Sequence, residues 1–378
     1  MQITLPGCGE VILSLDVDRR MLAWVELINH LDAETWPARN TAGEVPNNTP
    51  FGIDELGRYD VDVRFRPILA GRVSTRVARL VRQGFEGIEL VEAIAAYPRN
   101  ARRQADVVLC WDEFTGIPAA LLSRLPGSPP VVAGVQLLTD SAGRSPGFLR
   151  LAQAAMCRFN AVFVQSQGMI PVLRDQWGVS DSRLHFVPFG IDATWFQPLL
   201  GDIDRNLVAS VGDDSHRDHE TLVKAVTAVQ ARRPGTRLEL ATQLSVQLPP
   251  EIGVLHRGHL GSRRRQFYGQ AAITAVATHP NVHGSGLSVV LETMACGRPY
   301  VVTASLGLEG YLRHNEDGLV VPPGDIDALA DAIAALLHDP ERADAMGAAG
   351  RARLERQLTT DVQARHLAAV IQEVVKRG

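Results

Sequence analysis

The chain is nearly without lysine. Lys224 and Lys376 are the only two in 378 residues, and arginine carries almost all of the positive charge. The formal net charge is −4, so the strongly basic surface on which general nucleic-acid binding rests is missing. The short arginine clusters at 99–103 and 263–265 read as solvated helix faces. Cysteine is scarce as well. Cys8, Cys110, Cys157 and Cys296 are scattered, with neither CxxC nor zinc spacing, and read as reduced thiols. No run approaches the roughly 18 apolar residues of a membrane span. Residues 1–10 hold neither a basic n-region nor an apolar h-region, so no signal peptide is expected and the cytoplasm is the expected location. The 33 Gly and 22 Pro follow no period, and 46% of residues are hydrophobic, which excludes collagen-like and disordered chains.

What is present is an α/β pattern long enough for two domains, each able to bury its own core. Short β-branched runs alternate with amphipathic stretches, the pattern of parallel strands joined by crossover helices. One series of runs begins at Asp106, Pro130, Asn160 and His185; a second begins at Leu207, Arg237, Ala272 and Pro299. Residues 191–204, with Pro198 and little periodicity, read as a linker. The expected organisation is two Rossmann-like domains facing a cleft. Residues 1–190 form the first domain and 205–355 the second, with 191–204 between them and a C-terminal helix over 356–378 packing back on the first. Asp325 reads as an N-cap for a helix with Ile326, Leu329, Ile333 and Leu336 on one face. Pro340 ends it, and helices near 341–357 and 360–376 follow. Residues 32–66 give no clear assignment.

The chemistry is concentrated in Pro280–Pro299, which follows an apolar run and enters a helix. Gly284 and Gly286 let backbone approach a ligand closely, and the first helical amides, at Ser285, Gly286, Leu287 and Ser288, suit a diphosphate. Glu292, further into the helix, suits the vicinal hydroxyls of a ribose. A structural salt bridge at Glu292 is the plain alternative, because short glycine motifs are weak evidence.

The same stretch resembles the retaining glycosyltransferases of the GT-B fold, most closely glycosyltransferase family 4. Leu291-Glu-Thr-Met-Ala-Cys-Gly-Arg-Pro-Tyr-Val-Val302 is similar to the second half of that family's Glu-x7-Glu element. Glu316-Asp-Gly-Leu-Val-Val-Pro-Pro-Gly-Asp325 and Phe186-Val-Pro-Phe-Gly-Ile-Asp192 resemble two further motifs, in the family's order. The resemblance spans about residues 105–370. It implies that 1–190 is an acceptor-binding domain and 205–355 a nucleotide-sugar-binding domain, and that a sugar is transferred from a nucleotide diphospho-sugar to a hydroxyl acceptor, with retention and without a metal or other cofactor. The acceptor is a small molecule or a glycan or lipid-linked sugar. For a lipid-linked acceptor, peripheral attachment at the inner membrane through Arg99, Arg102 and Arg103 is the thin corollary.

Two departures stand out. The first glutamate of Glu-x7-Glu would fall at Gly284, where His283 is the neighbour left to contact the donor sugar. After the run at 207–211 the family has cations that grip the diphosphate. Here Gly212 is followed by Asp213 and Asp214, Arg217 remains as a bidentate phosphate ligand, and Asp218 stands where the family has lysine. Asp218 reads as a cap for the next helix. On the acceptor side Asp112, at a strand end, and Asp140 are the candidate carboxylates, and Gly7-Cys8-Gly9 is a candidate phosphate-facing loop. Of the four Asp-x-Asp triplets, beginning at Asp16, Asp60, Asp202 and Asp325, the third lies in the linker and the fourth begins a helix, so the motif carries no weight and no metal is expected. Two other readings remain: a donor-site-impaired partner subunit of a transferase, and a nucleotide-sugar 2-epimerase of the same fold, which would need a further acid/base set.

Overall fold

Val107–Cys110, Val131–Gly134 and Ala161–Val164 are four-residue runs in which every residue is buried, as strands covered on both faces by helices must be. The computed structural model describes residues 19–69, 72–96, 104–140, 143–199 and 201–377. The Gly7-Cys8-Gly9 loop and the 99–103 arginine cluster lie outside them.

The first sheet contains β1 (Met21–Glu26), β2 (Val61–Phe65), β3 (Val107–Cys110), β4 (Val131–Gly134), β5 (Ala161–Val164) and β6 (Leu184–Phe186). Their order is β2-β1-β3-β4-β5-β6, and every pairing is parallel. The second contains β7 (Asp204–Val211), β8 (Arg237–Ala241), β9 (Gly253–His256), β10 (Ala271–Val276), β11 (Tyr300–Thr303) and β12 (Gly318–Val321). Their order is β12-β11-β10-β7-β8-β9, again all parallel. These are two Rossmann-like sheets of the GT-B arrangement. In the second, strand order reverses between β7 and β10, and ligands of open parallel sheets bind beyond the strand ends at such a switch point.

Residues 32–66, left unassigned by pattern, hold a short helix at Trp36–Thr41, a 3-10 segment at Pro50–Tyr59 and strand β2. Helices Ile326–His338 and Pro340–Gln357 are capped by Asp325 and Asp339. The chain then returns to the first sheet. Ile191 N donates to Leu358 O (2.9 Å), Thr360 N donates to Ile191 O (3.2 Å), and a Cβ at Gly190 would stand 2.2 Å from Thr359 O. Helix Thr360–Arg377 buries Ala364, Leu367 and Ile371 in one core with Val25, Ile53 and Leu56. Cys110 and Cys296 are buried and Cys157 is exposed. Among the described residues no helix is long and apolar enough to cross a membrane.

Candidate active site

The loop that leaves β7 is fixed at nearly every residue. Gly212 N donates to Ala241 O (3.0 Å), and the Asp213 carboxylate accepts from Thr242 Oγ1 (3.1 Å) and Gln243 N. Asp218 N donates to Ala277 O, and His279 N to His216 O, which ties the loop to the end of β10. Asp218 also caps helix His219–Arg232, its carboxylate accepting from Thr221 N at 3.0 Å. An aspartate in the lysine position therefore has a local structural task.

This loop delivers Arg217 into the cleft. The residue is 8% exposed, and its Nε and Nη1 have no hydrogen-bond partner in the fold. Burial pushes its pKa down, against the raising effect of Asp214. A buried guanidinium without partners is costly, and an anionic ligand is what would satisfy it.

The opposite wall comes from the loop after β10. Gly284 and Gly286 have φ of +84° and +93°, and a Cβ at Gly286 would stand 2.8 Å from Val276 Cγ1. Helix Leu287–Ala295 starts there. Its amides are not all available, which sequence could not reveal. Asn281 Oδ1 accepts from Gly284 N and Ser285 N at 3.0 Å each, and Leu287 N donates to Gly284 O at 2.9 Å. Gly286, Ser288 and Val289 are left with amides that find no partner among the described residues. Of the four expected amides, those of Gly286 and Ser288 stay unpaired and those of Ser285 and Leu287 are taken, while Val289 adds one further along the helix. The Ser285 hydroxyl is buried and unpartnered.

Glu292 is 5% exposed and forms an ion pair with Arg264 through Oε1. Burial raises its pKa, and Arg264 opposes that rise. Both readings of Glu292 therefore meet at one residue: it is salt-bridged, and it lines the cleft. A cavity of about 440 Å³ collects Gly212, Arg217, His283, Gly284, Ser285, Gly286, Leu287, Ser288 and Glu292. On the first-domain side it is lined by Phe51, Trp111, Gln136 and Gln165. Phe51 stacks on Trp111 with ring centroids 4.3 Å apart and 9° between planes. Phe51 lies in the segment that pattern could not assign, and no sequence signal marks it.

Two expected residues are placed elsewhere. Asp112 does not line the cavity, although its neighbour Trp111 does. It caps helix Glu113–Leu122, accepting from Thr115 N at 3.1 Å, and burial together with the adjacent Glu113 raises its pKa to about 7. Asp140 is also outside the lining, but its Oδ2 lies 3.3 Å from His216 Nε2, across the gap between the domains. His283 is in the cavity wall, with Nε2 3.1 Å from Asp214 Oδ2. Burial works to raise the Asp214 pKa, but the hydrogen bonds from His283 and the His216 backbone hold it below the usual carboxylate range.

Residues 56–195 match the family model "Glycosyltransferase Family 4", and residues 193–353 match "Glycosyl transferases group 1". A GDP-mannose-dependent alpha-(1-6)-phosphatidylinositol monomannoside mannosyltransferase of Mycobacterium tuberculosis is 44% identical over 88 residues, 23% of each chain. An MMP alpha-(1->4)-mannosyltransferase of Mycolicibacterium hassiacum is 24% identical over 240 residues, 61% of this chain and 58% of that one. These matches span less than two thirds of either relative's length. The structure of sucrose-phosphate synthase from Thermosynechococcus elongatus superposes with a TM-score of 0.70 at 18% identity, covering 95% of this chain and 100% of that one. The chain belongs to the glycosyltransferases of the GT-B fold, of the family 4-like type.

Proposed function

We propose that this chain transfers a sugar from a nucleotide diphospho-sugar to a hydroxyl acceptor, with retention at the anomeric carbon. The observation that carries this reading is Arg217. A buried, unpartnered guanidinium faces a cavity whose other wall is a helix start with unpaired amides. Breaking the glycosidic bond leaves negative charge on the diphosphate, and fixed donors aimed at that charge lower the barrier without reorganising. In this reading Arg217 and the Gly286, Ser288 and Val289 amides hold the leaving group. Glu292 takes the ribose hydroxyls, and the first-domain wall with Phe51, Trp111 and Gln136 receives the acceptor. His283, next to the Gly284 position at which the family's first glutamate would fall, lies beside the donor sugar. Retention rests on the family resemblance. The named specificity of the relatives supports a nucleotide-linked hexose as donor and leaves the base and the acceptor to experiment. The chain's expected location remains the cytoplasm.

Calorimetry with UDP, GDP, ADP and dTDP on the wild type and on Arg217→Ala tests it. A ligand at 100 times its Kd stabilises the fold by about 2.7 kcal/mol. One nucleoside diphosphate is expected to bind, and Arg217→Ala is expected to lose it. If none binds at millimolar concentration, the transferase reading fails and a partner-subunit role replaces it.

A further inference from the structure

The diphosphate site just described has one feature of the wrong sign. Asp214 lines the same cavity as Arg217. A carboxylate facing a diphosphate is repulsive unless a cation lies between them. The residues around Asp214 supply what such a cation needs. His283 Nε2 is 3.1 Å from Asp214 Oδ2, and His216 Nδ1 is 3.2 Å from Asp214 Oδ1. One ligand atom from each of the three lies within 4.8 Å of the others. Four ligands at about 2.0–2.1 Å around a tetrahedral ion stand roughly 3.4 Å apart, so only small side-chain rotations separate this arrangement from a coordination shell.

We propose that Asp214, His216 and His283 bind one divalent transition-metal cation of the zinc or manganese class, with the open position directed at the donor diphosphate. Two imidazoles and one carboxylate with a vacant coordination position form the donor set such ions take. An outer partner is also in place. With His216 bound through Nδ1, its Nε2 faces Asp140 Oδ2 at 3.3 Å, and a carboxylate in that relation fixes the imidazole tautomer and orientation. Asp140 belongs to the first domain, so cation binding and the apposition of the two domains favour one another. The expectation of no metal rested on the family resemblance and on the places of the Asp-x-Asp triplets. It could not register a set whose members, Asp214 and His283, lie 69 positions apart. The role toward the diphosphate rests on the proposed nucleotide reading; the cation site itself does not.

The test uses the full chain stripped with a chelator, titrated with Zn²⁺, Mn²⁺ and Co²⁺, and then with nucleoside diphosphate with and without the ion. One equivalent of Zn²⁺ is expected, and Co²⁺ is expected to develop ligand-field absorption that changes when diphosphate is added. Asp214→Asn, which keeps the side-chain shape, and His283→Gln are expected to weaken the ion at least 10-fold. Asp140→Asn is expected to weaken it about 10-fold, and His338→Gln, on an exposed helix end, not at all. Ion and diphosphate must tighten each other by the same factor. A stripped wild type that takes up no ion, or uptake unchanged by Asp214→Asn, overturns the site. An ion that binds without altering diphosphate affinity overturns its role toward the donor. Co²⁺ uptake with no nucleotide binding under any condition overturns the nucleotide reading and leaves the cation site standing.

Discussion

Arg217 lies directly over Gly212: a Cβ on that glycine would stand 2.3 Å from the guanidinium Nε. The glycine after β7 is therefore required by the arginine and not by its own backbone angle. Gly212→Ala is expected to push Arg217 out of the cleft and weaken nucleoside diphosphate binding almost as far as Arg217→Ala does. Loss of the charged hydrogen bonds amounts to about 1.5–3 kcal/mol, or roughly 10- to 100-fold in Kd. Calorimetry on the two single variants and the double variant checks this. If the glycine variant binds normally, the guanidinium has another way into the site.

The same arginine gives an opposite expectation for stability. A buried charge without a partner opposes folding, so Arg217→Met is expected to leave the unliganded protein as stable as the wild type, or more so. Thermal unfolding without ligand reads this directly. A marked fall in midpoint would make Arg217 a structural residue and remove the main support for the anion site.

Glu292 is shared between Arg264 and the cleft. Glu292→Gln retains the shape but weakens both interactions. If its carboxylate takes the ribose, the variant is expected to lose most of the preference for ribo- over 2′-deoxyribonucleoside diphosphate, about 1–1.5 kcal/mol for one hydrogen bond. Parallel titrations of GDP and dGDP, or UDP and dUDP, measure that ratio. An unchanged ratio with reduced stability would leave Glu292 as a salt bridge only.

Much of this was legible in the sequence because the buried strands are continuous apolar runs. Val131–Gly134 and Tyr300–Thr303 have no polar residue to place on either face except Thr303. The strands that pattern missed are edges or near-edges. β2 alternates buried Val61 with exposed Asp62 and Arg64, and β9 leaves Val254 51% exposed, so neither carries a continuous apolar signature. At the site, the local motif around Gly284–Glu292 could be read, whereas the Asn281 side chain's claim on two amides depends on a folded turn. The pairing of Asp140 with His216, and of Asp214 with His283, depends on how loops from distant segments meet.

Asp112, placed at a helix N-cap instead of in the cleft, yields a pH prediction. Its pKa rises from 3.8 to about 7 in the fold, first through burial and then through Glu113. Between those values the native state keeps a proton that the unfolded chain has released. Stability from this group is thus fully present below pH 4 and declines as pH rises toward 7, by up to roughly 4 kcal/mol. Buried Glu113 is shifted in the same direction. Asp112→Asn caps equally well, so its stability is expected to fall less steeply over pH 4–7 and to equal or exceed the wild type at pH 8. Urea unfolding at four pH values checks the slope. Parallel curves would mean that Asp112 is ionised throughout.

The last prediction concerns a motif residue whose task is structural. Asp317, in the Glu316–Asp325 stretch that carries part of the family resemblance, is 1% exposed. It accepts hydrogen bonds from the Tyr300 hydroxyl, from Arg313 N at 3.1 Å and from Arg353, which also donates to Tyr311 O at 2.6 Å. These contacts join β11, the turn before β12 and helix Pro340–Gln357 below the donor cleft. Removing one partner strands a buried charge, so Asp317→Ala and Arg353→Ala are each expected to cost about 3–5 kcal/mol. The double variant Asp317→Asn/Arg353→Met leaves no unpaired charge and is expected to recover much of that loss. Nucleotide affinity of whatever remains folded should be unchanged, because neither residue lines the cleft. Denaturant midpoints for the three variants, with nucleotide Kd measured on the folded fraction, separate this from a direct role in binding; a large rise in Kd at unchanged stability would place Asp317 in the site.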